Sequence, residues 1–294
     1  MRYLLVMIGC SLCLGLFACE DKKAAEKEKE MQAAVASLVQ AERDFAATVK
    51  AEGIRAGFLS VLHPDGILFN PTPTNGLARY EAAGESGALL TWEPRYAELA
   101  SSLDLGYTTG PWEYFTSDTA AEAVAFGDYF SIWKRDSAGV WKLVLDLGVS
   151  RSAPEPMHEL KTKVLPAIDS GPSLTEKELR AVDSTFAEHS GREAKAAYAA
   201  SAVSDARILR DGSPRVVGSA AIVAADLPSR FSFPESSVIS KDGNIGYVYG
   251  RAEGMLAGPS GEEVAGQGGY VRIWRLEGDE HKLAAEVMSL RPKQ

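Results

Sequence analysis

The sequence predicts an α+β protein of two similarly built units, each a curved antiparallel sheet wrapped on helices. Three observations lead there. Residues 104–110, 129–133 and 141–145 read as successive antiparallel strands rich in aromatic and β-branched residues, the last two joined by a short Gly-containing turn at 136–139. The same block returns as residues 244–250, 270–274 and 281–283. The offset between the copies is nearly constant: Phe45 and Phe186 are 141 apart, Asp65 and Asp205 140, Gly106 and Gly246 140, Trp133 and Trp274 141. A constant offset through helix, turn and sheet points to tandem duplication.

The chain divides, in order, into residues 1–18, 19–30, 31–151, 152–172 and 173–294. In the first segment Arg2 precedes an apolar run that ends Leu16-Phe17-Ala18-Cys19. The run is short for a bilayer span and fits a secretory signal peptide. Its ending resembles the lipobox of bacterial lipoproteins, which implies cleavage before Cys19 and lipid attachment there. The protein would then be held at the cell envelope by its acyl chains. Glu20 is not the aspartate that retains such lipoproteins in an inner membrane, so the resemblance implies an outer-membrane, periplasmic-face address in a Gram-negative cell. Residues 19–30 are highly charged and lack large apolar groups, as suits a solvated tether.

From 31 to 50, Val35, Leu38, Val39, Phe45 and Val49 mark one face of an amphipathic helix. A second short helix is expected over 53–61, a turn at Pro64-Asp65-Gly66 and a strand over 67–69. A short helical piece follows near 77–82. Residues 89–96 read as a strand interrupted by Pro94, hence an edge or a bulge. The three-strand block closes the first unit. Residues 152–172, with Pro154, Pro156, Pro166 and Pro172, read as the linker. The second unit opens with Thr175 three before Glu178, a capping-box spacing ahead of Leu179, Val182 and Phe186. Helices near 192–202 and 218–222 and a strand at 205–209 precede the second block.

The formal charge is −9, or −10 once a leader carrying only Arg2 is removed, and such a body repels phosphate backbones. Nucleic acid is therefore not an expected partner. Of Cys10, Cys13 and Cys19 only the last survives cleavage, which excludes an intramolecular disulfide and a thiolate metal site. His63, His158, His189 and His281 are scattered, and no phosphate loop or dinucleotide fingerprint occurs, so neither a metal nor a cofactor is expected.

The element order, the strand Asp65-Gly66-Ile67-Leu68-Phe69-Asn70-Pro71 and the hairpin carrying Trp133, Trp141 and Lys142 resemble the nuclear transport factor 2-like (cystatin-like) superfamily, closest to SnoaL-like and domain-of-unknown-function 4440 sequences. The resemblance implies two tandem cone-shaped domains, each around a mostly apolar pocket. It says less about function, because that fold hosts isomerases, dehydratases, cyclases and pure binders. Relatives pair through the open sheet face, which implies a homodimer or internal pairing of the two units.

The isomerase relatives place a carboxylate base just before a proline, where this chain has Asn70-Pro71, and a tyrosine on the first helix, matched here by Phe45. Neither replacement can do acid–base work. Asp128 stands near a second acid of the relatives, though a shift of one residue would turn it out of the pocket. Asp146 lies in an apolar strand, where an acid is either a tuned pocket group or a bonded structural one. Its counterpart is Glu286. In the second unit Arg210 takes the place of Asn70, and Gly268-Gly269 that of the second acid. Asn70, Trp92, Tyr107, Trp112, Tyr129 and Trp133, with Tyr247, Tyr270 and Trp274 in the second copy, are the candidate ligand-pocket residues, core filling being the alternative. Asp128 and Asp146 are the only catalytic candidates. Three readings stand: an envelope lipoprotein binding a small, partly apolar ligand without catalysis, a small-molecule isomerase, dehydratase or cyclase, and a structural or assembly module.

Overall fold

The computed structural model describes residues 9–154, 158–167, 174–225, 227–258 and 260–293, with side chains in the first helix from residue 22 onward. Residues 1–8 of the segment read as a signal peptide and the Cys19 side chain lie outside the described residues. Among the described residues no helix is long and apolar enough to cross a membrane.

The first unit starts with α1 (Gly9–Glu52) and α2 (Ile54–Val61). The charged segment read as a tether is the continuous N-terminal part of α1, and residues 22–30 are solvent-exposed. From Val35 onward α1 buries the expected stripe, with Leu38, Phe45 and Val49 at 2% exposure or less. Gly53, at φ 90°, separates the two helices. Next come β1 (Leu62–Phe69), β2 (Pro73–Asn75), α3 (Gly76–Ala82), β3 (Leu89–Trp92), β4 (Tyr96–Leu99), β5 (Leu105–Phe115), β6 (Ala125–Arg135), β7 (Trp141–Asp146), β8 (Val149–Arg151) and β9 (Lys161–Val164). The break at Pro94 splits the expected strand into β3 and β4, which both pair with β5.

Part of the stretch read as a linker is structured. Residues 161–164 form β9, parallel to β4 at the edge of the first sheet. Backbone pairing holds this polar Lys-Thr-Lys-Val segment, which the sequence pattern does not mark as a strand. Other parts of that stretch, including Pro156 and Pro172, lie outside the described residues.

The second unit contains α4 (Glu176–Arg192), α5 (Ala194–Ser201), β10 (Ala202–Arg210), β11 (Val216–Val217), α6 (Ser219–Ala224), β12 (Phe231–Ile239), β13 (Ile245–Ala257), β14 (Glu263–Glu277) and β15 (Glu280–Pro292). Thr175 and Glu178 form the expected capping box at the start of α4.

The two sheets are built alike. One runs β2-β1-β7-β6-β5-β4-β9, the other β11-β10-β15-β14-β13-β12. Their irregularities coincide as well. The β1–β7 register breaks between Leu62 and Ile67, and the β10–β15 register between Ala202 and Arg207, 140 residues on. A bulge at Ile132/Trp133 has its match at Ile273/Trp274.

Each sheet turns one face to its own helices. A Cβ on Gly106 would meet Leu38 of α1, and one on Gly246 would meet Leu179 of α4. The opposite faces meet each other: Tyr107, Phe130 and Ile132 share a hydrophobic cluster with Tyr247, Val271 and Ile273. Phe69 packs where any side chain at Gly269 would collide with its ring. Polar contacts cross the same seam. Arg275 of β14 donates to Glu98 of β4 at 2.8 Å, and the Arg207 guanidinium lies 3.2 Å above the Tyr96 ring.

Candidate functional site

In the first unit the helices and sheet leave a cavity of about 390 Å³ lined largely by aromatic and aliphatic side chains. Phe45 lies beneath it, in edge contact with Phe58 and Trp92 at 4.8 Å centroid distances. Trp92 and Trp112 stand opposite each other across β3 and β5, and Tyr129 and Ser131 project from β6. The polar exception is Asp146, at the end of β7.

Asp146 is the unusual group. Ser131 Oγ donates to its carboxylate at 2.8 Å, and no cation pairs with it among the described residues. Burial, helped by the nearby Glu42 and only partly opposed by Ser131, pushes it up to about 7. It is therefore poised to hold or release a proton near neutrality. Tyr129 lines the same cavity, and its hydroxyl is buried and makes no well-formed hydrogen bond. Desolvation pushes that phenol well above its ordinary range, with Thr108 lowering it somewhat, so it remains protonated and can donate.

Behind the cavity α1 buries Glu42 completely. Trp92 Nε1 donates to it at 2.6 Å, Trp133 Nε1 at 2.8 Å and Thr108 Oγ1 at 2.5 Å. Burial raises Glu42 against those donors. Its counterpart on α4 is Asp183, 141 residues on, which accepts from Trp274 Nε1 at 2.9 Å and Tyr270 Oη at 2.6 Å. The sequence reading missed both acids. The signal was there: each stands three residues, about one helical turn, before the paired phenylalanines Phe45 and Phe186, on an otherwise apolar face.

The second unit differs at the centre. Arg272 occupies the place of Ser131, and it donates to Glu286 at 2.8 Å and to Asp183 at 3.2 Å. Arg210, in the place of Asn70, donates to Glu286 at 2.8 Å and to the Tyr198 hydroxyl at 2.7 Å. Burial alone would raise Glu286, but Arg210 and Arg272 outweigh it and hold it at about 2. The two guanidiniums occupy the interior that stays open in the first unit.

The sequence-derived candidates therefore separate. Trp92, Trp112 and Tyr129 line the first cavity, and Asn70 lines an adjoining hollow. Trp133 is fully buried beneath, spending its N–H on Glu42. Tyr107 points to the other face of the sheet, stacked on Phe130 at 4.8 Å and bonded to Glu98 at 2.8 Å. Tyr247 lies on the matching seam face, while Tyr270 and Trp274 are tied into the Asp183 network.

Asp128 is not a cavity acid. Its neighbours Gly127 and Tyr129 turn toward Trp112 and the cavity, and strand alternation sends Asp128 the opposite way. There it pairs with Arg151 at 3.2 Å and with Arg215 of the second unit at 2.9 Å. It fastens the seam. Asp146 and Tyr129 both line the cavity, from strand positions other than Asn70 and Phe45.

No protein-family model matches the chain, and no curated protein matches it. Among solved structures it is similar to a conserved protein from Planctomyces limnophilus, at 16% identity and TM-score 0.32, over 39% of this chain and 94% of that one. A ketosteroid isomerase-like protein from Erwinia carotovora atroseptica matches at 13% identity and TM-score 0.34, again over 39% and 94%. An NTF2-like protein with a cystatin-like fold from Novosphingobium aromaticivorans matches at 14% identity and TM-score 0.31, over 39% and 80%.

Proposed function

We propose that the first unit is a small-molecule acid–base site, with Asp146 exchanging a proton with a largely apolar ligand and Tyr129 donating a hydrogen bond to the ligand's oxygen. The observation that supports this is the state of Asp146: a carboxylate at about 7, in an apolar cavity and without the cations that hold its counterpart Glu286 ionised. An isomerase, dehydratase or cyclase needs such a group. Pure binding does not, though the aromatic lining serves binding equally.

In this reading the chain is a tandem pair of nuclear transport factor 2-like domains in which the second copy lost its pocket to Arg210 and Arg272. It is held at the cell envelope by lipid on Cys19, with the exposed residues 22–30 of α1 as a spacer. The motif ending in Cys19 supports the anchor, and mass spectrometry of the membrane-extracted protein should find a diacylglyceryl cysteine as the mature N-terminus. An unmodified Cys19 behind a retained Met1 would rule it out.

The chemical test uses tetralone, a small aromatic ketone, in heavy water. The protein should speed deuterium uptake beside the carbonyl, and Asp146→Asn should lower that rate about a hundred-fold, as loss of a general base does. No uptake above the buffer rate, with tetralone bound, would favour binding without catalysis.

A further inference from the structure

The cavity of the first unit adjoins a second hollow of about 410 Å³, and Phe58, Asp146 and Gly148 line both. The second hollow is assembled from the two units. Asn70 and Arg79 come from the first, Gln267 and Arg291 from the second. Its chemistry is the reverse of its neighbour's.

Arg79 makes no ion pair among the described residues, and the side-chain amides of Asn70 and Gln267 make no hydrogen bond there. Arg291 is held at 3.2 Å by Asp211. Asp211 is itself fixed, accepting from Ser289 Oγ at 2.7 Å, the Leu290 amide at 2.9 Å and the Ser150 amide at 2.8 Å. One acid behind Arg291 thus sets its direction without cancelling both guanidiniums. Two arginines and two uncommitted amides around one hollow form a donor-rich surface suited to an organic carboxylate. The apolar cavity beside it suits a hydrocarbon body.

We propose that the seam hollow is the head-group subsite of the ligand site, and that the substrate class is small carboxylic acids with an apolar, partly aromatic body. This rests on the reading of the first cavity given above and adds the part of the ligand that reading leaves open. It also gives the second unit a task. Its own interior is filled, yet it supplies Gln267 and Arg291 to the site of the first.

The test is calorimetric titration of the full chain with phenylbutyrate and with its neutral counterpart phenylbutyramide. The carboxylate should bind about ten-fold more tightly than the amide, a difference of the size charge-assisted hydrogen bonds give. Arg79→Gln and Arg291→Gln should each remove most of that preference, weakening carboxylate binding far more than amide binding. Both arginines are solvent-exposed, so the variants should fold, and circular dichroism checks this. Equal binding of the two probes, or arginine changes that weaken both equally, would overturn the subsite and leave the cavity standing. Ser131→Arg, which copies the second unit's Arg272 into the first cavity, should abolish binding of both. Binding of neither probe to the wild type, or full binding to a folded Ser131→Arg protein, would overturn the cavity reading and the subsite with it.

Discussion

Ser131 and Arg272 hold the same place in two sheets of the same order, and each bonds the carboxylate opposite it on the next strand. Ser131 Oγ donates to Asp146 at 2.8 Å, and Arg272 Nε donates to Glu286 at 2.8 Å. A hydroxyl brings no charge, so burial governs Asp146 and lifts it to about 7. A guanidinium does, and with Arg210 it holds Glu286 at about 2. Two substitutions, Arg272 for Ser131 and Arg210 for Asn70, separate a cavity with a titratable acid from an interior closed by ion pairs.

The first prediction concerns stability against pH. Asp146 has an ordinary value near 3.8, which it takes in the unfolded chain, and about 7 in the fold. Below roughly pH 4 it is protonated in both states and costs nothing. As pH rises from there to about 7 the unfolded chain gives up this proton first, so the folded state loses stability. Above that the loss is complete. Asparagine cannot titrate, so Asp146→Asn should gain on the wild type by on the order of 4 kcal/mol between acid and mildly alkaline conditions. Urea unfolding of both proteins across that range measures it. A difference that does not change with pH would contradict the assignment.

The second prediction contrasts the matched pair. Arg272→Met leaves Asp183 and Glu286 buried with one cation fewer between them, and should cost about 3–5 kcal/mol. Ser131→Ala removes one hydrogen bond to a group that is half protonated near neutrality, and should cost only about 1 kcal/mol. Comparable losses from the two would mean that Arg272 does not hold the second interior together.

The third prediction tests the seam. Glu98 is buried and accepts from the Tyr96 hydroxyl at 2.9 Å, the Tyr107 hydroxyl at 2.8 Å and, across the units, Arg275 at 2.8 Å. A double-mutant cycle on Glu98 and Arg275 should give a coupling above about 1.5 kcal/mol. The exposed pair of Arg251 and Glu235, at 59% and 38% side-chain exposure, should give about 0.5 kcal/mol or less. A seam pair no stronger than the surface pair would mean that Glu98 and Arg275 do not help to join the units.

Much of the frame was legible because periodicity and spacing are properties of the chain. The offset that pairs Trp133 with Trp274 is the offset between their bulges, and the Thr175 and Glu178 spacing is the capping box itself. What strand parity decides was less accessible. Asp128 and Tyr129 are neighbours, yet one faces the seam and the other the cavity, and only the pairing of β5 with β6 fixes which. Residues 161–164 join the sheet through main-chain bonds that leave no pattern in their side chains. The plug in the second interior was half visible. Arg210 was matched to Asn70 from the sequence, but that it reaches Glu286 depends on the parallel pairing of β10 with β15.

The last prediction uses the two tyrosines at matched positions of β6 and β14. Tyr270 donates to Asp183 at 2.6 Å, so Tyr270→Phe removes a bond to a buried carboxylate and should destabilise the fold by about 1.5–3 kcal/mol. Tyr129 is equally buried, but its hydroxyl makes no well-formed hydrogen bond, which is a cost of folding rather than a gain. Tyr129→Phe should therefore leave stability unchanged or raise it by up to about 1 kcal/mol. If the Tyr129 hydroxyl is kept for a ligand oxygen, the same change should weaken tetralone binding several-fold while the fold is unharmed. Chemical unfolding and ligand titration on the two variants give both readings. A Tyr129→Phe protein that loses stability as Tyr270→Phe does would show that its hydroxyl is structural, and would leave Asp146 without its proposed donor.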